Sequence, residues 1–330
     1  NLHTSPPLAP ITARVRPEAW RSPFAVHRAL AGLGYQETIN FSFVEERWEH
    51  ELAGNSDPIK LLNPIASQMS VMRSSLLGSL LQALKFNLDR KAERVRVFEV
   101  GRVFLRDASV KSTDSTVEGF DQPMRVAALA YGGVDTLQWG RKEQGADFFD
   151  AKGDVEALLA PRRATFEAAE HPALHPGRCA RVLVNGVAIG FVGELHPKWR
   201  QGYNLTHAPM LFELALDAVL ARDVPVFKPV AKYQAVARDI AVIVPEVVTH
   251  AALMAAVHAA AAGGLLRDAT LFDVYRPKQA GGGMNEGEKS LAVRLTLNSD
   301  DATLTDEQID AQVQAVIGQL TRQFGARLRA

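Results

Sequence analysis

At 330 residues, with 47% apolar and 22% charged side chains, the chain is longer than one core comfortably serves. Two or more globular domains are therefore expected, and a disordered chain is excluded. Its 37 Lys and Arg balance 37 Asp and Glu, so no basic field announces nucleic acid.

Cys179 is the single cysteine, which excludes a disulfide framework or a cysteine zinc cluster and suits a cytoplasmic setting. No apolar run approaches the ~18 residues of a membrane span. Residues 1–16 open without Met or a basic-then-apolar leader, and read as a Pro-rich linker from an upstream region. A first domain is expected over residues 17–222. Its opening helix is predicted for residues 17–33, with Pro17 in the first turn and Gly32 and Gly34 closing it. Residues 37–43 alternate as a strand with Ile39, Phe41 and Phe43 on one face. A short apolar run at 59–62 leads to a turn, a short strand and a helix over residues 75–89, with Leu76, Leu77, Leu80, Leu81 and Leu84 on one face. Strands follow at 95–105 and 124–131, with a polar, mobile insertion expected at 107–121. A helix is predicted for 148–159. Two strands flank Asn185-Gly186, the strongest short hairpin signal, and a last strand covers 210–216. Strands outnumber helices without βαβ alternation, so the class is α+β: an antiparallel sheet with helices packed on it.

After a Pro-containing linker at 223–232, residues 233–330 form the second domain. An alternating strand, Arg238 to Pro245, precedes an Ala-rich helix from about Thr249 to Ala262, stopped by Gly263-Gly264. The apolar run Leu271–Arg276, a glycine loop at Gly281-Gly282-Gly283 and a strand from Ser290 to Asn298 come next. Thr305 and Gln308 then make a capping box for a helix closed by Gly325, and Arg327–Arg329 ends the chain as a strand. The order β-α-β-β-α-β is the split βαβ of ferredoxin-like domains.

Several residues invite chemical readings that their settings weaken. His171, His175 and His196 each precede a proline, which disfavours the helix that would align the first two as metal ligands; turn roles fit better. Asp150, Lys152 and Asp154 stand near a helix start, where capping and dipole effects suffice. Ser74-Ser75 has no His or Asp partner and reads as a helix N-cap. Gly281–Gly283 lacks the strand–helix context of a phosphate loop. Residues 228–330 carry 11 Lys and Arg against 11 Asp and Glu, so any RNA binding there must come from local clustering. On the residues alone, Tyr275 packs on a neighbouring strand and Asp273 pairs with Arg276.

Four ordered blocks resemble a known module: Asp239-Ile240-Ala241-Val242, Leu271–Arg276, Lys289–Thr296 and Thr303–Glu307. They look like the ferredoxin-fold anticodon-binding domain that ends the beta subunit of bacterial phenylalanyl-tRNA synthetase. Further blocks are similar to that subunit's class II synthetase-like core: Asn63-Pro64, Met72–Leu77, Phe98–Phe104, Asp150–Gly153 and Gly193–Pro197. The resemblance implies an anticodon-binding site at Asp273 and Tyr275, with Arg276, Lys278 and Arg294 as phosphate contacts. A phenol ring can stack on an unstacked base, and a carboxylate can accept from a guanine edge. The resemblance also implies a catalytic alpha subunit as partner, in a heterotetramer of two alpha and two beta chains, with tRNA(Phe) as substrate. Arg73, Glu99 and Arg102 are candidates for the docking face.

A working class II site needs arginines to clamp ATP and carboxylates for Mg²⁺. Arg102 lies on a motif 2-like strand, but Gly190–Glu194 leads into His196-Pro197-Lys198 without the motif 3 arginine. No catalytic or metal-binding residues are therefore expected in this chain, and ATP and Mg²⁺ belong at the alpha subunit. Two rival readings are a single-chain active synthetase and a non-enzymatic scaffold without tRNA binding.

Overall fold

The computed structural model describes residues 17–227, 229–260, 264–277 and 283–329. The chain divides into two compact units, the boundary falling after Pro225.

In the first unit the elements run α1 (Pro23–Gly32), β1 (Gln36–Glu37), β2 (Phe43–Val44), α2 (Glu46–Trp48), a π-helical turn (Glu49–Ala53), β3 (Val71–Met72) and α3 (Leu77–Leu88). There follow β4 (Val95–Arg102), β5 (Leu105–Arg106), β6 (Phe120–Asp121), β7 (Met124–Tyr131), α4 (Phe148–Leu159) and β8 (Ala164–Ala168). The unit ends with β9 (Leu174–Val184), β10 (Val187–Leu195), α5 (Pro197–Gly202), β11 (Met210–Ala215) and α6 (Leu216–Leu220). Seven strands form one sheet in the order β1-β4-β7-β11-β10-β9-β8. Each pairing is antiparallel except β1 with β4, which corrects the expected antiparallel sheet to a mixed one at its edge. A long connection containing α3 separates β1 from β4, and such a crossover permits the parallel arrangement that a hairpin forbids.

The sheet is covered on both faces. Val126, Ala128 and Ala130 of β7 join α1, α4 and α6 in one core, while Ala127, Leu129 and Tyr131 join α3 and Trp199 in the other. A central strand buried on both sides has to read as the continuous apolar run seen at 124–131. Asn185 and Gly186 carry the two positive φ angles, 52° and 77°, that their hairpin needs.

Three expectations are corrected. The first helix begins at Pro23, not Pro17, because residues 19–22 pair instead with 220–222 through Arg21 N–Leu220 O and Arg222 N–Ala19 O bonds. Residues 37–43 leave the sheet edge after Thr38, so Ile39 and Phe41 are 92% and 64% exposed rather than core. Residues 107–121, expected as a mobile insertion, complete a hairpin between β5 and β6, with Asp107 N bonded to Gly119 O.

In the second unit β12 (Val236–Pro245), α7 (His250–Ala259), β13 (Leu266–Tyr275), β14 (Glu288–Leu297), α8 (Asp306–Phe324) and β15 (Arg327–Leu328) follow one another. The sheet order is β13-β14-β12-β15, antiparallel throughout, as a ferredoxin-like βαββαβ domain requires. Thr305 and Gln308 form the reciprocal capping box, and Gly325 closes α8 at φ 64°. Ile240, Val242, Val244, Leu291, Val293 and Leu295 pack beneath α7 and α8, so the alternate positions of β12 and β14 face away from the helices.

Candidate nucleic-acid interface

Register decides what shares that helix-free face. Tyr275 lies opposite Ser290, which lies opposite Ile243; Asp273 lies opposite Ala292; Thr270 lies opposite Arg294, which lies opposite Asp239. Directly opposed residues point the same way, so Asp273, Tyr275 and Arg294 occupy one surface. A bulge between Leu271 and Asp273 makes this possible. It inserts Phe272, leaving Leu271 on the helical core and turning Asp273 and Tyr275 outward.

Tyr275 is 44% exposed at the end of β13, so the packing reading of its ring is set aside. The Arg329 guanidinium lies 4.5 Å from the ring centroid. Arg294 lies 5.4 Å from the Phe272 ring, which is itself exposed. The Asp273 side chain is exposed and makes no ion pair among the described residues, and Arg276 pairs with Glu246 instead. Lys278 lies outside the described residues.

The other two cations are not free. Arg294 makes a two-pronged contact with Asp239, 2.8 Å on each side, and that hydrogen bond holds the Asp239 carboxyl below its usual range. Arg276 donates to Glu246 at 2.9–3.2 Å, and Lys289 reaches the same carboxylate at 3.6 Å. Glu246 is likewise held below its usual range, chiefly by Arg276. Two of the three expected phosphate contacts, Arg276 and Arg294, therefore stand in exposed ion pairs. Such pairs are weak and screened by salt, so an incoming phosphate can replace the carboxylates. Phe272 and Arg329 escaped the sequence reading. The adjacent apolar pair Leu271-Phe272, which breaks strict alternation, was the available sign of the bulge.

In the first unit the docking trio comes apart. Arg73 and Glu99 are only 2% and 4% exposed and pair with each other at 2.8 Å, so neither offers a contact to a partner. Asn40 donates to the second Glu99 oxygen at 2.8 Å, and Arg73 Nε donates to Arg102 O at 3.1 Å. Gly101 is needed there, since a Cβ would stand 2.4 Å from the guanidinium. Arg102 is exposed, but it donates to Gln122 O rather than to Glu99. One row of the sheet runs Glu99–Ala127–Glu213, beneath the start of α3. The half-buried Glu213 accepts from Leu76 N at 2.7 Å, and desolvation pushes its pKa up. The N-cap of α3 is Leu76 rather than the expected Ser74 or Ser75, though Ser75 Oγ accepts from Leu77 N at 3.2 Å.

His171, His175 and His196 each accept, through Nδ1, the amide two residues ahead, at 3.2, 2.9 and 3.0 Å. Only His171 leads into a turn; His175 lies at the start of β9 and His196 caps α5. Burial lowers His171 to about 4, with its ring 4.9 Å from that of Phe191. Asp150 completes the α4 capping box, whereas Asp154 pairs with Arg96 and accepts from Tyr35 at 2.7 Å, a packing role rather than a dipole one. No group of three or more His, Cys, Asp or Glu suited to a metal occurs among the described residues.

Comparison with known proteins agrees with this architecture. The family model for the phenylalanyl tRNA synthetase beta chain CLM domain matches residues 2–216, and that for the ferredoxin-fold anticodon binding domain matches residues 231–329. The phenylalanine–tRNA ligase beta subunit of Cupriavidus pinatubonensis is 50% identical over 328 residues, 98% of this chain and 40% of that protein. The Burkholderia lata protein of the same name is 51% identical with the same coverage, and the one from Chromobacterium violaceum is 47% identical over 329 residues. The chain spans about 40% of the length of these relatives. With both of its units matched, the chain belongs to the phenylalanyl-tRNA synthetase beta chain family.

Proposed function

We propose that this chain serves a phenylalanine–tRNA ligase as part of its beta subunit, gripping the anticodon loop of tRNA(Phe) through the helix-free face of the second unit. One observation carries the reading. Asp273 and Tyr275 stand side by side and exposed at a strand end, with Arg329 beside the phenol ring. A splayed base stacks on the Tyr275 ring while the Asp273 carboxylate accepts from its ring N–H and exocyclic amine. Arg294 and Arg276 trade their carboxylate partners for backbone phosphates.

The first unit acts as a scaffold that docks on a catalytic alpha subunit, in an assembly of two alpha and two beta chains working in the cytoplasm. ATP and Mg²⁺ are bound by the alpha subunit. Here one face of the sheet is packed against α3 and its apolar side chains, and the half-buried Glu213 carboxyl accepts from the Leu76 amide. Arg200, the arginine nearest the expected motif, donates to the backbone carbonyls of Leu205 and Thr206. These residues do not fit a nucleotide site, and no chemical step is assigned to them. The single-chain synthetase and the tRNA-free scaffold are both disfavoured, since the relatives are named beta subunits and the second unit matches an anticodon-binding model.

The test is tRNA(Phe) binding by the chain with its alpha subunit. Tyr275→Ala should cost ~1–3 kcal/mol, the worth of one stacked base, and Asp273→Asn should weaken binding selectively for the native anticodon. Unchanged binding in both variants would remove the proposal.

A further inference from the structure

A second concentration of positive charge lies in the first unit, away from anything assigned above. Trp20 and Ala221 form an antiparallel bridge, closed by the Arg21 N–Leu220 O and Arg222 N–Ala19 O bonds. Arg21 and Arg222 flank that bridge and project from its same side, opposite Trp20. Arg162 stands just past α4, its amide bonded to Leu159 O.

Each guanidinium is anchored by a backbone carbonyl. Arg21 donates to Leu158 O at 3.0 Å, Arg162 donates to Ala218 O, and Arg222 donates to Glu18 O. Leu158 and Ala218 belong to α4 and α6, whose last carbonyls welcome donors. Capping alone does not account for three cations together. Burial lowers the Arg21 pKa, and the charges of Arg162 and Arg222 lower it further, so the three repel one another. The Nε atoms of Arg21 and Arg162 are buried without an acceptor. Glu18, Asp217 and Asp223 lie on the same segments, yet none forms an ion pair with the three among the described residues.

We propose that Arg21, Arg162 and Arg222 bind the sugar–phosphate backbone of folded RNA. Guanidinium forks match phosphate oxygens two at a time, and carbonyl anchors preorganise them without neutralising their charge. A polyanion relieves the mutual repulsion, and phosphodiesters present the needed charge at close spacing. The interaction is sequence-independent and adds affinity to whatever the second unit reads.

The test titrates a short RNA duplex without unpaired bases against the full chain over a range of salt concentrations. Arg162→Gln with Arg222→Gln should weaken binding several-fold and flatten the log–log salt dependence by about 1–2 units of slope, near 0.9 for each phosphate no longer neutralised. Arg222→Gln alone, at an exposed side chain, should show part of the weakening even where the double variant folds poorly, and Arg222→Lys should restore much of the affinity. Tyr275→Ala should leave duplex binding unchanged, so this result and the anticodon reading stand or fall separately. Equal affinity and slope in all arginine variants would overturn the site. So would an effect confined to binding of poly-glutamate, which would mark a site for an acidic protein segment.

Discussion

The Arg329 guanidinium lies 4.5 Å from the centroid of the Tyr275 ring, joining the last described residue of the chain to the tip of β13. A cation over one face leaves the other for a base and draws electron density toward it, so both bear on the same stacking interaction. Arg329→Gln should cost ~0.5–1 kcal/mol of tRNA(Phe) affinity, the worth of an exposed cation–π pair. Affinity measured in the Tyr275→Ala background checks the coupling: the Arg329 effect should vanish once the ring is gone.

Glu246, just past the end of β12, pairs with both Arg276 and Lys289. Removing its charge frees the exposed Arg276 for phosphate, while Lys289 stays buried and bonded to Glu246 O. Glu246→Gln should therefore tighten tRNA binding and steepen its salt dependence by up to ~1 unit of slope. Weaker binding with an unchanged slope would show that Arg276 takes no part.

Breaking the buried Arg73–Glu99 pair should be the most damaging change in the first unit. Arg73→Ala strands a buried carboxylate and should cost ~3–5 kcal/mol of stability, read from denaturant unfolding. Arg73→Met combined with Glu99→Gln should cost much less, because no charge is left unpaired. Gly101→Ala should also destabilise, since its Cβ would displace the guanidinium.

His171 sets a pH dependence. Its pKa falls from 6.5 to about 4 on burial, so between those values the unfolded chain binds the proton and the folded one does not. Its contribution is complete above pH 6.5 and is lost as pH falls toward 4, with a limit of ~3 kcal/mol. His171→Gln should flatten the unfolding free energy across that window; an unchanged slope would show that the ring is protonated in place.

How much of this is legible in the sequence follows from where each force acts. The βαββαβ order, the Thr305–Gln308 capping box, the Asn185-Gly186 turn and the apolar β7 are set by neighbours a few residues apart, so local pattern reveals them. The Asp273 and Tyr275 positions came from ordered blocks, and their exposure needed the Phe272 bulge, whose one sign in the sequence is the break in alternation at Leu271-Phe272.

The sequence by itself determined the elements, their order and the family. Only the tertiary structure decided which charges meet. Arg294 finds Asp239 across 55 positions, Arg276 finds Glu246 across 30, and Arg73 disappears beneath a glycine to reach Glu99. A charged side chain's partner depends on strand register and burial, which arise only after distant segments pack.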